Sequence, residues 1–111
     1  MTCHNFCILE IPPKDGETFC FQDLERYARR VDVEDDLLAE VADTWLDVPC
    51  YWNEKGKGME KGLAYFGITL IPPASAAMIA SHIQGQGEFA QLSALLQMAA
   101  QEEKYVLHFG I

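Results

Sequence analysis

The chain is expected to fold as one small α/β domain, with a mixed α+β arrangement as the alternative. The expected core is a three- to four-stranded mixed sheet carrying about four helices, in the order β-α-α-(β)-β-α-α-β. Three observations carry this. Residues 5–11, 63–71 and 105–110 are apolar runs of strand length, nearly continuous, as in strands covered on both faces. Between them apolar residues recur at three- and four-residue spacing, the period of a helix with one buried side. No linker or shift of composition divides the 111 residues, a length that suits one domain.

Taken in order, residues 5–11 read as a strand through Phe6, Cys7, Ile8, Leu9 and Ile11, stopped by Pro12-Pro13 because proline cannot donate to a ladder. Lys14-Asp15-Gly16-Glu17 is a turn. A helix is expected over 21–30, with Phe21, Leu24, Tyr27, Ala28 and Val31 on one side. A second helix is expected over 32–48. Asp32 serves as its N-cap, Glu34, Asp35 and Asp36 complement the dipole, and Pro49 is the stop. Residues 50–52 suit a short strand that forms a hairpin with 63–71 around Gly56-Lys57-Gly58. Helices follow over 75–84, with Ser75 as cap and Gly85 as exit, and over 88–103, with Phe89, Leu92, Leu95, Leu96 and Ala99 on one face. Residues 105–110 form the last strand. Ile8-Leu9-Glu10-Ile11-Pro12-Pro13 is echoed by Ile68-Thr69-Leu70-Ile71-Pro72-Pro73, read as convergent punctuation in preference to a duplication.

Composition narrows function. Eight Lys and Arg against 17 Asp and Glu give a net charge of −9, which argues against nucleic acid as a partner. With half the residues hydrophobic, a disordered acidic tail is excluded as well. Residues 62–87 hold no formal charge, but Pro72-Pro73 and several polar residues break the run, so a membrane span is not expected. This uncharged half is instead a candidate surface for homo-oligomerisation. Without a secretory leader, a cytoplasmic location and reduced cysteines are expected. The nearest metal motif, Cys3-His4-x-x-Cys7, lacks a second half at zinc spacing, so neither metal nor cofactor is expected.

The charge is local: seven acids and no base lie between Val31 and Asn53. On a helix at 100° per residue, Asp32, Asp36, Glu40, Asp43 and Asp47 form a stripe about 80° wide, opposite Leu37, Leu38, Val41, Ala42, Trp45 and Val48. Like charges four apart destabilise a helix, so the stripe invites an explanation. The plain one is a solvated face offset by Arg26, Arg29 and Arg30 or by Lys55, Lys57 and Lys61. The functional one is a docking surface for a basic protein, with Tyr51 and Trp52 as recognition aromatics, in an accessory, inhibitor or immunity-type module. The Asp32-x-Glu34-x-Asp36 start is not a calcium loop, since Leu37 stands where glycine is needed. Gly56–Gly62 is not a phosphate loop, since it precedes a strand. The alternative function is a small-molecule or thiol-dependent enzyme with a site near Cys7, Glu10, Cys50 and His108, should the first and last strands pair.

Overall fold

In the computed structural model, which describes residues 2–111 apart from the side chain of Lys57, the first apolar run is buried on both faces from Asn5 to Leu9, but strand geometry ends at Ile8 and Ile11 is exposed, short of the expected stop at Pro12. It forms β1 (Cys3–Ile8). The other strands are β2 (Arg30–Glu34), β3 (Pro49–Trp52), β4 (Glu60–Lys61), β5 (Ile68–Ile71) and β6 (Val106–Phe109). The helices are α1 (Asp35–Ala42), α2 (Pro73–Ile83) and α3 (Ala90–Gln101), with short 3-10 stretches at Phe21–Arg26, Asp43–Trp45, Lys55–Lys57 and Gly87–Phe89. Together they make a mixed α+β domain measuring 35 × 28 × 24 Å.

The strands form one sheet in the order β2-β1-β6-β5-β3-β4. Six strands replace the expected three or four, and every pairing is antiparallel where a mixed sheet was expected. The connections explain this. One crossover helix returns a chain to start a parallel neighbour, whereas α2 and α3 in succession reverse it twice and bring β6 in antiparallel beside β5. Between β1 and β2 no full helix forms. The expected 21–30 helix shrinks to the 3-10 stretch Phe21–Arg26, Tyr27 turns extended (φ −95°, ψ 113°), and Arg30 is already strand. The alternation Arg30-Val31-Asp32-Val33-Glu34 has period two, and pairing with β1 selects that period over the overlapping helical one. The 32–48 helix is shortened by the same competition. It starts at Asp35, with Glu34 as N-cap and no side-chain capping bond, and gives way to 3-10 geometry at Asp43.

Residues 51–52 pair antiparallel with β5, Tyr51 opposite Leu70, but the turn through Gly56 and Gly58 closes a shorter hairpin of β3 onto β4, not onto β5 as expected. Helix α2 begins at Pro73, a residue suited to the first helical position. Ser75 does not cap it; its hydroxyl donates to the Pro49 carbonyl instead. The two Ile…Pro-Pro echoes are structurally unlike: β1 ends at Ile8, the position matching Ile68, where β5 begins.

Strand parity sorts side chains onto two layers. Phe6, Ile8, Val33, Cys50, Ile71 and Val106 face the helices, packing against Leu38, Trp45, Ile79, Leu92 and Leu96. Cys7, Leu9, Leu70, Leu107 and Phe109 face the other way, under Phe19, Leu24, Tyr27 and Tyr105. The uncharged half supplies much of both layers: Leu70, Ile71, Ala76, Ile79, Ala80 and Ile83 are buried, and burial accounts for its missing charges. No helix among the described residues is long and apolar enough to cross a membrane.

Candidate functional site

Two histidines lie inside the helix-facing layer, both fully buried. His4 shares its face with Phe6 and Ile8 by parity, and His108 shares that of Val106. The β1–β6 register sets Phe6 opposite His108, so the two histidines are diagonal neighbours. His4 Nδ1 lies 2.8 Å from His108 Nε2. On one side Thr69, opposite His108 in the β5–β6 ladder, places Oγ1 3.0 Å from His108 Nδ1. The Ala64 N–H donates to that hydroxyl at 2.9 Å. On the other side His4 Nε2 is 3.0 Å from Oδ1 of Asp35, the first residue of α1. The Tyr65 hydroxyl donates to the same oxygen at 2.5 Å.

With Asp35 ionised, His4 donates to it from Nε2, and one proton lies between His4 Nδ1 and His108 Nε2. Where His108 supplies that proton from Nε2, its Nδ1 accepts from the Thr69 hydroxyl; where His4 supplies it from Nδ1, His4 is paired with Asp35 as an imidazolium and His108 donates from Nδ1 to Thr69 Oγ1. His108 is neutral in both arrangements. Burial, then the neighbouring His4, pushes the His108 imidazole down to about 3. The Tyr65 hydroxyl and then the His4 N–H hold the Asp35 carboxyl below its ordinary value. Burial, then the bond to Asp35, raises Tyr65 to about 12. The line joins β1, β5, β6, α1 and the 63–67 turn; its histidines and Thr69 are buried, and it reaches solvent at Asp35, with 30% of its side chain exposed, and at the half-buried Tyr65. A closed relay of this kind holds protons in place and ties elements together. His4, Asp35, Tyr65 and Thr69 escaped the sequence reading, although a lone His two residues before Phe6 and a Thr inside an apolar strand both mark polar groups on a core face.

The acidic stripe is divided. Asp32 is on β2, not on the helix; its carboxylate accepts from Asn5 Nδ2 at 2.7 Å and lies 3.3 Å from Arg30 Nε. Asp36, Glu40, Asp43 and Asp47 remain together along α1 and the turn after it, and all four are exposed. Among the described residues none of the four has an ion-pair partner. Of the cations expected to offset them, Arg26 pairs with Asp23, Arg30 with Asp32 and Lys55 with Asp15, while Lys61 is exposed on β4 opposite Pro49. Arg29 grips Glu10 and Glu102 through paired bonds of 2.8–2.9 Å, and Lys104 joins both carboxylates. The side chain of Lys57 lies outside the described residues.

The two expected aromatics separate. Tyr51 is half-buried on the far face of the sheet, beside Leu70 and Phe109's layer. Trp52 is on the helix side, 36% exposed, and donates from Nε1 to the Gly62 carbonyl at 2.9 Å. Gly62 packs against the Leu46 backbone, so Trp52 flanks the end of the acidic row together with Leu46, which is 61% exposed. Near the other end stands Phe66, 79% exposed, its ring 5.4 Å from that of the Tyr65 that reaches Asp35 and tilted 58° to it.

Cys7, Glu10, Cys50 and His108 are not gathered. Cys7 is opposite Leu107 and points away from the layer that holds His108, whose partners are His4 and Thr69. Burial pushes the Cys7 and Cys50 thiols up to about 12, far from thiolate formation at neutral pH. Glu10 belongs to the Arg29–Lys104 network, which lowers its carboxyl. A cleft of about 790 Å³ opens beside Glu10, floored by Leu9, Phe19 and Tyr27, on the side of the sheet away from His108. Cys3 and Cys7 share a face that His4 does not, so their motif cannot converge. Among the described residues no three His, Cys, Asp or Glu side chains are grouped to hold a metal ion. Set against known protein families, curated proteins and solved structures, the chain matches none.

Proposed function

We propose that the protein is an acidic interaction module, of accessory, inhibitor or immunity type, that captures a basic protein through α1 and the turn after it. The observation that carries this reading is the row Asp36, Glu40, Asp43 and Asp47, exposed and without an ion-pair partner among the described residues. A solvated face would be offset by nearby cations; here the arginines are committed to other acids. Leu46, Trp52 and Phe66 at the ends of the row supply the apolar anchors that a purely charged surface lacks. Tyr51 drops out of the surface and Asp32 out of the row. The four free cysteines suit a cytoplasmic setting, and the net charge suits a protein partner over nucleic acid.

The thiol-enzyme alternative has less to stand on, since the groups it needs sit on different faces. For docking, reversing Asp36, Glu40 and Asp43 to Lys leaves folding intact and abolishes capture of a basic partner, and capture by the unaltered chain weakens as salt rises. Capture that is unchanged by the triple reversal at both low and high salt would sink the reading.

A further inference from the structure

The sheet has two edges of unequal kind. At one, β4 is two residues long, too short to template a neighbour. At the other, β2 is five residues long and pairs with β1 alone. Its pairing with β1 uses the odd residues: the Ile8 N–H donates to the Arg29 carbonyl and the Asp35 N–H to the Thr2 carbonyl, in one ladder with Cys3 opposite Glu34. In an antiparallel ladder the residues between those turn their backbone groups outward. The open edge therefore presents the N–H and C=O of Arg30 and Asp32, and the N–H of Glu34, whose carbonyl starts α1.

We propose that this edge pairs with the β2 edge of a second copy, antiparallel about a two-fold axis through Asp32, joining the two sheets. The register follows from the outward residues. Centring on Asp32 sets Arg30 opposite Glu34 of the second copy, and Glu34 opposite its Arg30. The backbone makes two bonds at the Asp32 pair and one at each flanking pair. Val31 then faces Val33 across the join on the helix side, extending the core layer to which both belong. On the other side the charges pair at both ends, with 31% of the Arg30 side chain exposed and Glu34 exposed. The Asp32 pair at the centre is repulsive, but each carboxylate is turned back onto its own Asn5 and Arg30. One strand pair buries little surface compared with a stable dimer, and the net charge of −9 on each copy opposes approach. The dimer is accordingly weak, growing in over roughly 10 µM to 1 mM.

Sedimentation of the full chain across that range tests it. The unaltered protein should shift from monomer to dimer. Arg30→Glu and Glu34→Arg should each suppress the dimer roughly tenfold or more, because each sets like charges opposite at both ends. An equimolar mixture of the two variants should restore it as a heterodimer, since one copy then carries only acids at these positions and the other only bases. Asp32→Asn, which keeps the bond to Asn5 and removes the central repulsion, should tighten it. The mixing result guards against a variant that merely misfolds, and thermal melting of each variant alone checks the fold. A chain that stays monomeric up to 1 mM overturns the proposal. So does a dimer indifferent to both charge variants, or one lost only on Phe66→Ser and Met78→Ser, which would place it on the uncharged half instead.

Discussion

His4 Nδ1 and His108 Nε2 lie 2.8 Å apart within the buried layer between sheet and helices, and they share a single proton along that line. The bonds around them suit a neutral His108. The Asp35 carboxylate accepts from the His4 N–H, Thr69 Oγ1 is bonded to His108 Nδ1, and neither ring is exposed.

The first consequence is a pH dependence. His108 titrates near 3 when folded and near 6.5 when unfolded, so between those values the unfolded chain binds the additional proton. Its contribution is complete above about pH 6.5 and is lost as pH falls, by roughly 3 kcal/mol at pH 4. Below about pH 4.5 the carboxyls held low in the fold, Asp35, Glu10 and Glu102, lose stability in the same direction. Urea unfolding between pH 7 and 4 should show the slope, and His108→Gln should flatten it above pH 4.5 whatever it does to absolute stability.

Tyr65→Phe removes one of the two bonds that hold Asp35 ionised while leaving the one from His4. The expected cost is about 1 kcal/mol, and the Asp35 carboxyl should rise toward its ordinary value. A chemical-shift titration of Asp35 that did not move would mean the hydroxyl contributes nothing there.

Gly110 controls the same bond from a distance. Its N–H donates to the Gly67 carbonyl at 2.7 Å, and a Cβ at this position would fall 2.1 Å from the Tyr65 carbonyl oxygen. Gly110→Ala must therefore push the 63–67 turn away. Loss of about 2 kcal/mol or more is expected, with the same upward move of Asp35 as in Tyr65→Phe.

Along α1, Glu40 stands four residues from Asp36 and three from Asp43, a repulsive set. Glu40→Lys should raise stability by a few tenths of a kcal/mol while weakening capture of the basic partner. Gain of stability with loss of binding is the mark of a surface kept for function. A variant that gains stability and captures the partner as well as before would point to a merely solvated face.

Arg29 holds Glu102 down to about 2, and Lys104 assists. Arg29→Lys cannot reproduce two forked contacts, so the Glu102 carboxyl should return part of the way to its ordinary range, readable by the same titration. Arg29→Ala should move it further.

Much of the architecture was legible from residue order. Parts of the three apolar runs became three of the four inner strands, where two faces must be satisfied at once, while their ends at Ile11 and Phe66 are exposed; the 73–83 and 90–101 helices followed their three-four spacing. The acidic face was legible too, from Asp36 to Asp47. What failed was local period where two readings overlapped. Residues 30–34 fit a helix by charge and a strand by alternation, and the free ladder of β1 decided between them. That one outcome moved Asp32 off the acidic row, shortened α1 and created an open sheet edge.

Composition, strand parity and helical period are properties of neighbours in the chain, so the sequence by itself determined the charge and where it is concentrated, the inner strands, and the faces of the later helices. Register between strands is set by partners up to 104 residues apart, as His4 and His108 are. Only the tertiary structure could therefore decide that all pairings are antiparallel, that Cys7 faces away from His108, and that two histidines, Asp35 and Tyr65 close into one line. The reason is physical: a buried polar group must find its partner wherever packing brings one, and no spacing along the chain records that distance.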